Sequence, residues 1–407
     1  MKSTIAIIQI AVFTSLITIF NCENNSIPYD FDDPELNLDT LTISAINGGT
    51  YLSPPTMGTA DALYFGNSYG NKNLFSLIKF ASQIQNSNVK NYTLVDTSVT
   101  VDSLNFLFTA TQDTLLTNSE FELYYFPSGG DSVFSESESN YLNISDNDVS
   151  GATLLGRARF TQKMPDSTEK IYPTLSFKID EFDDLIDFFA DTTNTQNRTF
   201  MLKNIDSIDE IVGINSSEAA ARYPIMNVHF RTDSDTIHSI FRAIDDVTIV
   251  EPRSVTEIDK NNISISRAAG LKSILKFDFK GLPIDSTLMV IKSAELIINS
   301  IPENMLDDYV INAAILADSL NISNYWEIDK DEYSIEQNIL MKGTISENQL
   351  KMEIRSFLQG INTKSYSNFG LKLFSSTSEN PFKTVNFLND SSIITGNPIL
   401  KIVYVEL

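Results

Sequence analysis

The chain has 407 residues, 42% of them hydrophobic, and its formal net charge is −24. This length is enough for two globular domains, each with a hydrophobic core. The negative charge excludes a general nucleic-acid-binding role, because contacts with phosphate groups need an excess of lysine and arginine. It also argues against strong attraction to polyanionic ligands.

The N-terminus has the layout of an export signal. Lys2 is followed by an apolar run over residues 5–20, and Cys22, the only cysteine, comes directly after this run. This order resembles a bacterial lipoprotein signal, in which residues 1–21 are removed and the thiol of Cys22 is lipidated. Lipidation also accounts for a single cysteine in an exported chain, where cysteines usually form disulfides.

Two alternatives to the lipoprotein interpretation stay open. One is ordinary signal cleavage, and the other is an uncleaved anchor, for which the apolar run is short. On the lipoprotein interpretation, the lipid on Cys22 holds the protein in the bacterial cell envelope, at the outer membrane or the cell surface. The polar and acidic residues 22–39 are then a tether with too little apolar surface to fold.

The rest of the chain contains an internal repeat of five sequence blocks in one order. The paired blocks are 76–80 with 273–277, 103–108 with 293–298, 175–182 with 350–357, 200–203 with 369–372, and 224–230 with 398–404. Apolar residues alternate with others within the blocks, and turn-forming residues cluster between them, which predicts short β-strands. We therefore expect an all-β fold of two tandem, jelly-roll-like β-sandwich domains, residues 40–232 and 236–407.

Two segments of the first unit have helical spacing instead. Ile179, Phe182, Ile186 and Phe189 form an apolar stripe, and residues 217–222 are rich in alanine. The sequence predicts a short helical turn in each segment.

The second unit carries a set of recognisable stretches: the run 271–279, Leu282 with Pro283, the run 368–373, and the closing strand 398–404. These stretches resemble the DNRLRE-domain family, whose members are β-sandwich domains on secreted bacterial proteins and include alginate-binding carbohydrate-binding modules. The resemblance covers most of residues 240–407 and, more faintly, 40–232. It implies a β-sandwich fold and a polysaccharide ligand.

Two classes of function follow. The first is a non-catalytic cell-surface lipoprotein that binds a glycan, and the alternative is a structural or assembly lipoprotein that binds a surface protein and no sugar. Tyr325 and Trp326 are the main candidates for a sugar-stacking platform. Further aromatic candidates, for which core packing is the other interpretation, are Tyr64, Phe65, Tyr69, Tyr124, Tyr125 and Phe126.

Charge constrains the ligand as well. The net charge predicts a neutral polysaccharide, or one whose negative groups are bridged by calcium. A local basic patch would override this argument, and its candidate members are Arg267, Lys272 and Lys276.

A calcium loop is one interpretation of Asp146, Asp148 and Ser150, since oxygen ligands alternate there before Gly151. Position twelve of this loop is Arg157 instead of glutamate, so an irregular calcium site and a polar turn both stay open. No other cofactor is predicted.

The sequence does not indicate catalysis. His229 and His238 are the only histidines, and neither has a partner at metal-ligand spacing in the sequence, so we expect both to be structural or exposed and zinc to be absent. No nucleophile-elbow motif occurs, and the carboxylates are too many for any pair to stand out.

Overall fold

The computed structural model describes the following residues: 38–55, 57–66, 72–81, 100–114, 118–126, 134–144, 149–162, 170–180, 199–206, 208, 211–231, 233, 235–251, 262–286, 288–301, 308–318, 331, 333–376, 380–389 and 396–406. Almost all of the regular structure in them is β-strand, which confirms the predicted all-β class. Cys22, the signal and the tether up to residue 37 lie outside the described residues.

Eight strands of the first half close into a barrel. Their order around the barrel is β11-β12-β4-β9-β6-β7-β8-β5, and β5 pairs with β11 to close it. The strands are β4 (Lys72–Phe80), β5 (Thr100–Thr109), β6 (Glu120–Tyr125), β7 (Thr153–Thr161), β8 (Thr174–Ile179), β9 (Thr199–Asn204), β11 (Ile225–Arg231) and β12 (Thr236–Glu251). Alternate residues such as Leu104, Phe106 and Phe108 fill the interior, as the period-two pattern predicts.

The second half forms a nine-stranded sheet in the order β1-β21-β15-β18-β17-β16-β19-β14-β2. The strands are β1 (Asp39–Ser44), β2 (Asn47–Leu52), β14 (Leu271–Lys276), β15 (Met289–Asn299), β16 (Val310–Leu316), β17 (Ile335–Ser346), β18 (Gln349–Glu353), β19 (Leu371–Ser375) and β21 (Ile399–Glu406). The two edge strands are separated in the chain by only Ala45 and Ile46. The sheet therefore curls, and one end of β1 lies close to one end of β2.

Each half also carries a two-stranded sheet. β3 (Ala62–Phe65) pairs with β10 (Val212–Asn215), and β13 (Asn262–Ile265) pairs with β20 (Val385–Leu388).

Helix is limited to two short segments among the described residues, α1 (Pro283–Ser286) and α2 (Arg355–Asn362). The helix predicted at 217–222 is wrong: the segment forms a turn and bends, and the carboxylate of Asp246 accepts a hydrogen bond from the Ser217 N–H. Of the predicted stripe, Ile179 ends β8 and the other three residues lie outside the described part of the chain. None of the described helices has both the length and the apolar run needed to cross a bilayer.

The strand pairing reproduces the internal repeat. β4 pairs with β9 as β14 pairs with β19, and β5 lies between β8 and β11 as β15 lies between β18 and β21. The five repeated blocks therefore take equivalent places in two equivalent sheets.

Each sheet contains strands that come from the other unit's part of the chain. β1 and β2 belong to the first unit's part of the chain, yet they pair with β21 and β14 of the second. β12 belongs to the second unit's part of the chain, yet it pairs with β11 and β4 of the barrel. The predicted limits of 232 and 236 therefore do not follow the strand pairing, because the two units exchange these strands.

A shared hydrophobic cluster joins the two halves. It contains Met57 from the segment after β2, Val247 on β12, Ala268 between β13 and β14, and Phe382 before β20. The exchanged strands and this cluster therefore connect the two units.

Candidate functional site

A pocket of about 240 Å³ opens at the outer face of the nine-stranded sheet, and three basic side chains line it. We call it the basic pocket, defined by Arg267, Lys272 and Lys372. Lys272 lies on β14, and Lys372 lies on β19 opposite Ile274. Because residues two apart on a strand share a face, Lys272 and Lys372 project from the same side of the sheet.

Asp331 pairs with both lysines. Its Oδ2 atom accepts hydrogen bonds from Lys272 Nζ and from Lys372 Nζ, each at 2.6 Å. Its Oδ1 atom accepts a hydrogen bond from the Tyr51 hydroxyl at 3.0 Å. Lys372 Nζ also donates to the carbonyl oxygen of Tyr333 at 2.8 Å. One carboxylate thus holds two cations in place and leaves the group with a net positive charge.

The pKa values follow from burial and from these charges. Burial raises the pKa of Asp331, but the two lysine charges outweigh it, so the pKa of Asp331 lies below its ordinary value. Burial and the charge of Lys272 lower the pKa of Lys372, against the opposing effect of Asp331. Burial likewise raises the pKa of Tyr51, and Asp331 adds to this effect, so Tyr51 is a hydrogen-bond donor.

A tight turn places Arg267. Ser266 and Leu271 exchange backbone hydrogen bonds around the turn, and Gly270 has a φ of +67°. The N–H of Ser53 donates to the carbonyl oxygen of Gly270 at 2.8 Å, and a Cβ at position 270 would collide with the Ser53 carbonyl oxygen. Only glycine permits both the conformation and the close approach. The guanidinium of Arg267 donates to Thr59 Oγ1 at 2.8 Å.

Ser266 adds an unusual hydroxyl to the pocket lining. Its side chain is buried, and its Oγ atom has no hydrogen-bond partner among the described residues. A buried hydroxyl without a partner costs free energy, and a ligand hydroxyl that reached it would recover this cost.

Only some of the predicted ligand residues lie in the basic pocket. Arg267 and Lys272 lie together in one pocket, whereas Lys276 is not among the residues that line it. Tyr325 and Trp326 lie outside the described residues. Lys372 and Asp331 were not predicted as ligand residues, although the match of block 200–203 with block 369–372 places Lys372 on a predicted strand.

The other aromatic candidates belong to the core. Phe65, Tyr125 and Phe126 are buried, and Tyr64 and Tyr124 pack against the cluster that joins the two halves. Core packing, the interpretation left open, therefore holds for these five. Tyr69 lies outside the described part of the chain.

The predicted metal residues are also only partly described. Ser150 is exposed in the turn before β7, and Asp146 and Asp148 lie outside the described residues. The structure brings together a different carboxylate group, Glu136, Glu218 and Asp246. These residues are too far apart in the sequence for any spacing motif to reveal them.

The two histidines face each other across β11 and β12. Their rings are stacked with centroids 4.6 Å apart, and His238 Nε2 lies 3.2 Å from Asn227 Oδ1. Both rings are partly or fully exposed, as expected. Their proximity could not be read from the sequence, because it depends on the hairpin register.

Comparison with models of protein families, with curated proteins and with solved structures found no match for this chain. The resemblance of residues 240–407 to the DNRLRE-domain family therefore stays a prediction.

Proposed function

We propose that this protein is a non-catalytic lipoprotein of the bacterial cell envelope that binds a glycan in the basic pocket. The observation that carries the proposal is the meeting of Arg267, Lys272 and Lys372 in one pocket of a chain whose net charge is −24. Basic residues are scarce in this protein, so three of them around one cavity favour a ligand with a negative group.

The chemistry of the pocket suits a carboxylated sugar. A guanidinium can bind a carboxylate through two parallel hydrogen bonds, and such charge-assisted bonds are stronger than neutral ones. Each lysine ammonium has three donors, so Lys272 keeps donors for a ligand beyond its bond to Asp331. The local basic patch thus overrides the argument from net charge, as the sequence analysis allowed.

The dimensions of the pocket limit what enters it. A volume of about 240 Å³ is below the range of roughly 300–1,000 Å³ typical of drug-sized ligands. We therefore propose that the pocket takes one sugar unit or a chain end, and that further units of a polysaccharide contact the surrounding surface.

The direct test is a comparison of two polysaccharides. Binding of the full chain to alginate, a polyuronate, and to a neutral glucan is measured at low salt, with and without a chelator. We expect alginate to bind and the neutral glucan to bind weakly. Lys272→Met should weaken alginate binding by roughly tenfold or more, since it removes a charge-assisted contact.

A matched control separates the pocket from net charge. Lys401 is exposed on β21, so Lys401→Met makes the same change in net charge away from the pocket. Equal effects of the two substitutions would contradict a site in the pocket. If the wild type binds neither charged nor neutral glycans, the result would favour the alternative of a lipoprotein that binds a protein partner.

The lipid anchor has its own test. Palmitate labelling of cells that express the wild type or Cys22→Ala should label only the wild type. Equal labelling of both proteins would contradict the lipid anchor. It would not affect the proposed glycan binding, which the polysaccharide comparison tests separately.

A further inference from the structure

We propose that Glu136, Glu218 and Asp246 form a calcium site that fastens strand β12 to the loops at one end of the barrel. We call these three residues the carboxylate cluster. Each offers a carboxylate oxygen, and these oxygens lie within 4.8 Å of one another. The site is separate from the basic pocket and shares no residue with the sequence-predicted loop at 146–150.

Three separate segments supply the cluster. Glu136 lies in the turn between β6 and β7, Glu218 in the turn after β10, and Asp246 in β12 opposite Ile78 of β4. The Ser217 N–H donates to Asp246 Oδ2 at 2.6 Å, and the Asp246 N–H lies 3.4 Å from Glu136 Oε1. These bonds hold the segments in register around the carboxylates.

The second observation is an orphaned oxygen in the cluster. Asp246 is 1% exposed, and its Oδ1 atom has no hydrogen-bond partner among the residues that the structure describes. A buried carboxylate oxygen without a donor is costly, and the usual resolution is a paired cation, a metal or a proton. The oxygen therefore points to a missing positive group at this place.

The surrounding charges make a cation the better resolution. Burial first, and then the charge of Glu218, raise the pKa of Asp246 well above its ordinary value. Burial and Glu218 also raise the pKa of Glu136 to about 7, and Asp245 adds to the effect. A single proton neutralises one of the carboxylates, whereas a divalent cation neutralises two and accepts oxygen lone pairs from all three.

The all-oxygen donor set suits calcium among divalent cations. Calcium takes six to eight oxygen ligands at roughly 2.3–2.6 Å in a flexible arrangement, which side chains from three separate segments can provide. Magnesium demands near-octahedral geometry at about 2.1 Å and loses its bound water reluctantly, so we expect it to bind more weakly here. Since Glu218 is exposed, water molecules can complete the calcium shell.

The location of the carboxylate cluster suggests that calcium binding would stabilise the fold. β12 is the strand that the second unit contributes to the barrel, and the Glu136 carbonyl oxygen lies against Gly58 in the segment that leaves β2. A bound calcium ion would therefore stabilise the region where the exchanged strands enter and leave. We expect binding to raise the unfolding temperature of the full chain and to slow its proteolysis.

The test is a calcium titration of the chelator-treated full chain by calorimetry, with magnesium in a parallel experiment. We expect one calcium site and weaker binding of magnesium. Asp246→Asn and Glu218→Gln should each lower calcium affinity by at least about tenfold and reduce the calcium-dependent rise in unfolding temperature, because affinity follows the number of charged ligands. Glu218 is exposed, so its variant should fold even if the buried one does not.

Two controls locate the site. Asp278→Asn changes an exposed carboxylate far from the cluster in sequence and should leave calcium binding unchanged. Asp146→Asn tests the sequence-predicted loop and should also leave it unchanged. The proposal is overturned if the wild type binds no calcium at millimolar concentration, or if Glu218→Gln binds as the wild type does while Asp146→Asn does not.

Discussion

Thr50 and Ser273 hold a buried hydroxyl contact, with their Oγ atoms 3.2 Å apart, although 222 residues of chain separate them. An equivalent contact joins Thr248 and Ser76 at 3.1 Å. In each case the threonine also accepts a hydrogen bond from a backbone N–H of the small two-stranded sheet, that of Ser264 or of Tyr64. The contacts show that β2 and β12 are equivalent strands, and that each lies in the other unit's sheet.

The first prediction concerns these paired threonines. Thr50→Val and Thr248→Val should each lower the free energy of unfolding by about 1–3 kcal/mol, because each removes the contact with a buried serine hydroxyl and leaves a backbone N–H without its acceptor. Chemical denaturation measures the loss. Thr236→Val, at an exposed position of β12, is the matched control and should change stability little. A similar loss at position 236 would mean that β-propensity, not the buried contact, sets the cost.

A second prediction follows from the strand exchange. Deleting residues 1–52 removes β1 and β2, so β21 and β14 should become unprotected edges of the nine-stranded sheet. Hydrogen exchange should show faster exchange in these two strands. Barrel strands β4 and β11 should keep their protection, since β12 still covers them. Loss of protection in β4 and β11 would contradict the observed pairing.

The third prediction concerns the turn that carries Arg267. Gly270→Ala should lower the free energy of unfolding by more than the roughly 1–2 kcal/mol cost of a left-handed alanine, because its Cβ also meets the Ser53 carbonyl oxygen. Gly281→Ala is the control, since Gly281 has a φ of +76° but open space around it. The difference between the two losses measures the collision, and no difference would show that the turn relaxes freely.

A fourth prediction separates the two lysines of the pocket. Lys372 is buried and bonds to both Asp331 and Tyr333, so Lys372→Met should cost about 1–3 kcal/mol of stability. Lys272 is more exposed, and Asp331 keeps Lys372 when it is removed, so Lys272→Met should cost less than about 1 kcal/mol. Thermal unfolding of both variants checks the order, and the reverse order would contradict the described network.

The fifth prediction is a pH dependence at the carboxylate cluster. The pKa of Glu136 is raised from 4.5 to about 7, so the folded state holds its proton more tightly than the unfolded state does. This contribution to stability is complete below about pH 4.5 and is lost as the pH rises through about 7. The groups that act on Glu136 are Glu218, Asp245 and Asp246.

The measurement is the free energy of unfolding in chelator between pH 4.5 and 8, for the wild type and Glu136→Gln. The variant should show a smaller fall in stability with rising pH. Glu347→Gln, at an exposed turn, should behave as the wild type does. An unchanged slope in Glu136→Gln would mean that another group carries the titration.

Much of the fold could be predicted from the sequence because strands with one buried face carry a local pattern. Leu104, Phe106 and Phe108 alternate, and all three fill the barrel. The failed helix at 217–222 shows the limit of local pattern. Its alanines favour a helix, but the contact of Ser217 with the carboxylate of Asp246 belongs to a turn.

The candidate sites likewise contain some residues that could be predicted from the sequence and others that could not. Arg267 and Lys272 are close in the sequence, so a local basic patch could be predicted. Lys372 and Asp331 join them only through the register of β14 with β19 and the position of the segment before β17. The three residues of the carboxylate cluster come from three distant segments, and their spacing in the sequence does not predict that they meet.

The sequence by itself determined that the chain is all-β, that it contains two equivalent units, and which residues face their cores. These properties are set by residues close together in the chain, through alternation and turn chemistry. Only the tertiary structure decided which copy each outer strand pairs with. β2 and β12 are equivalent and make the same buried threonine contact, so by local rules either could complete either sheet. The choice depends on completing both sheets while the joining cluster is buried, and that is a property of the whole chain.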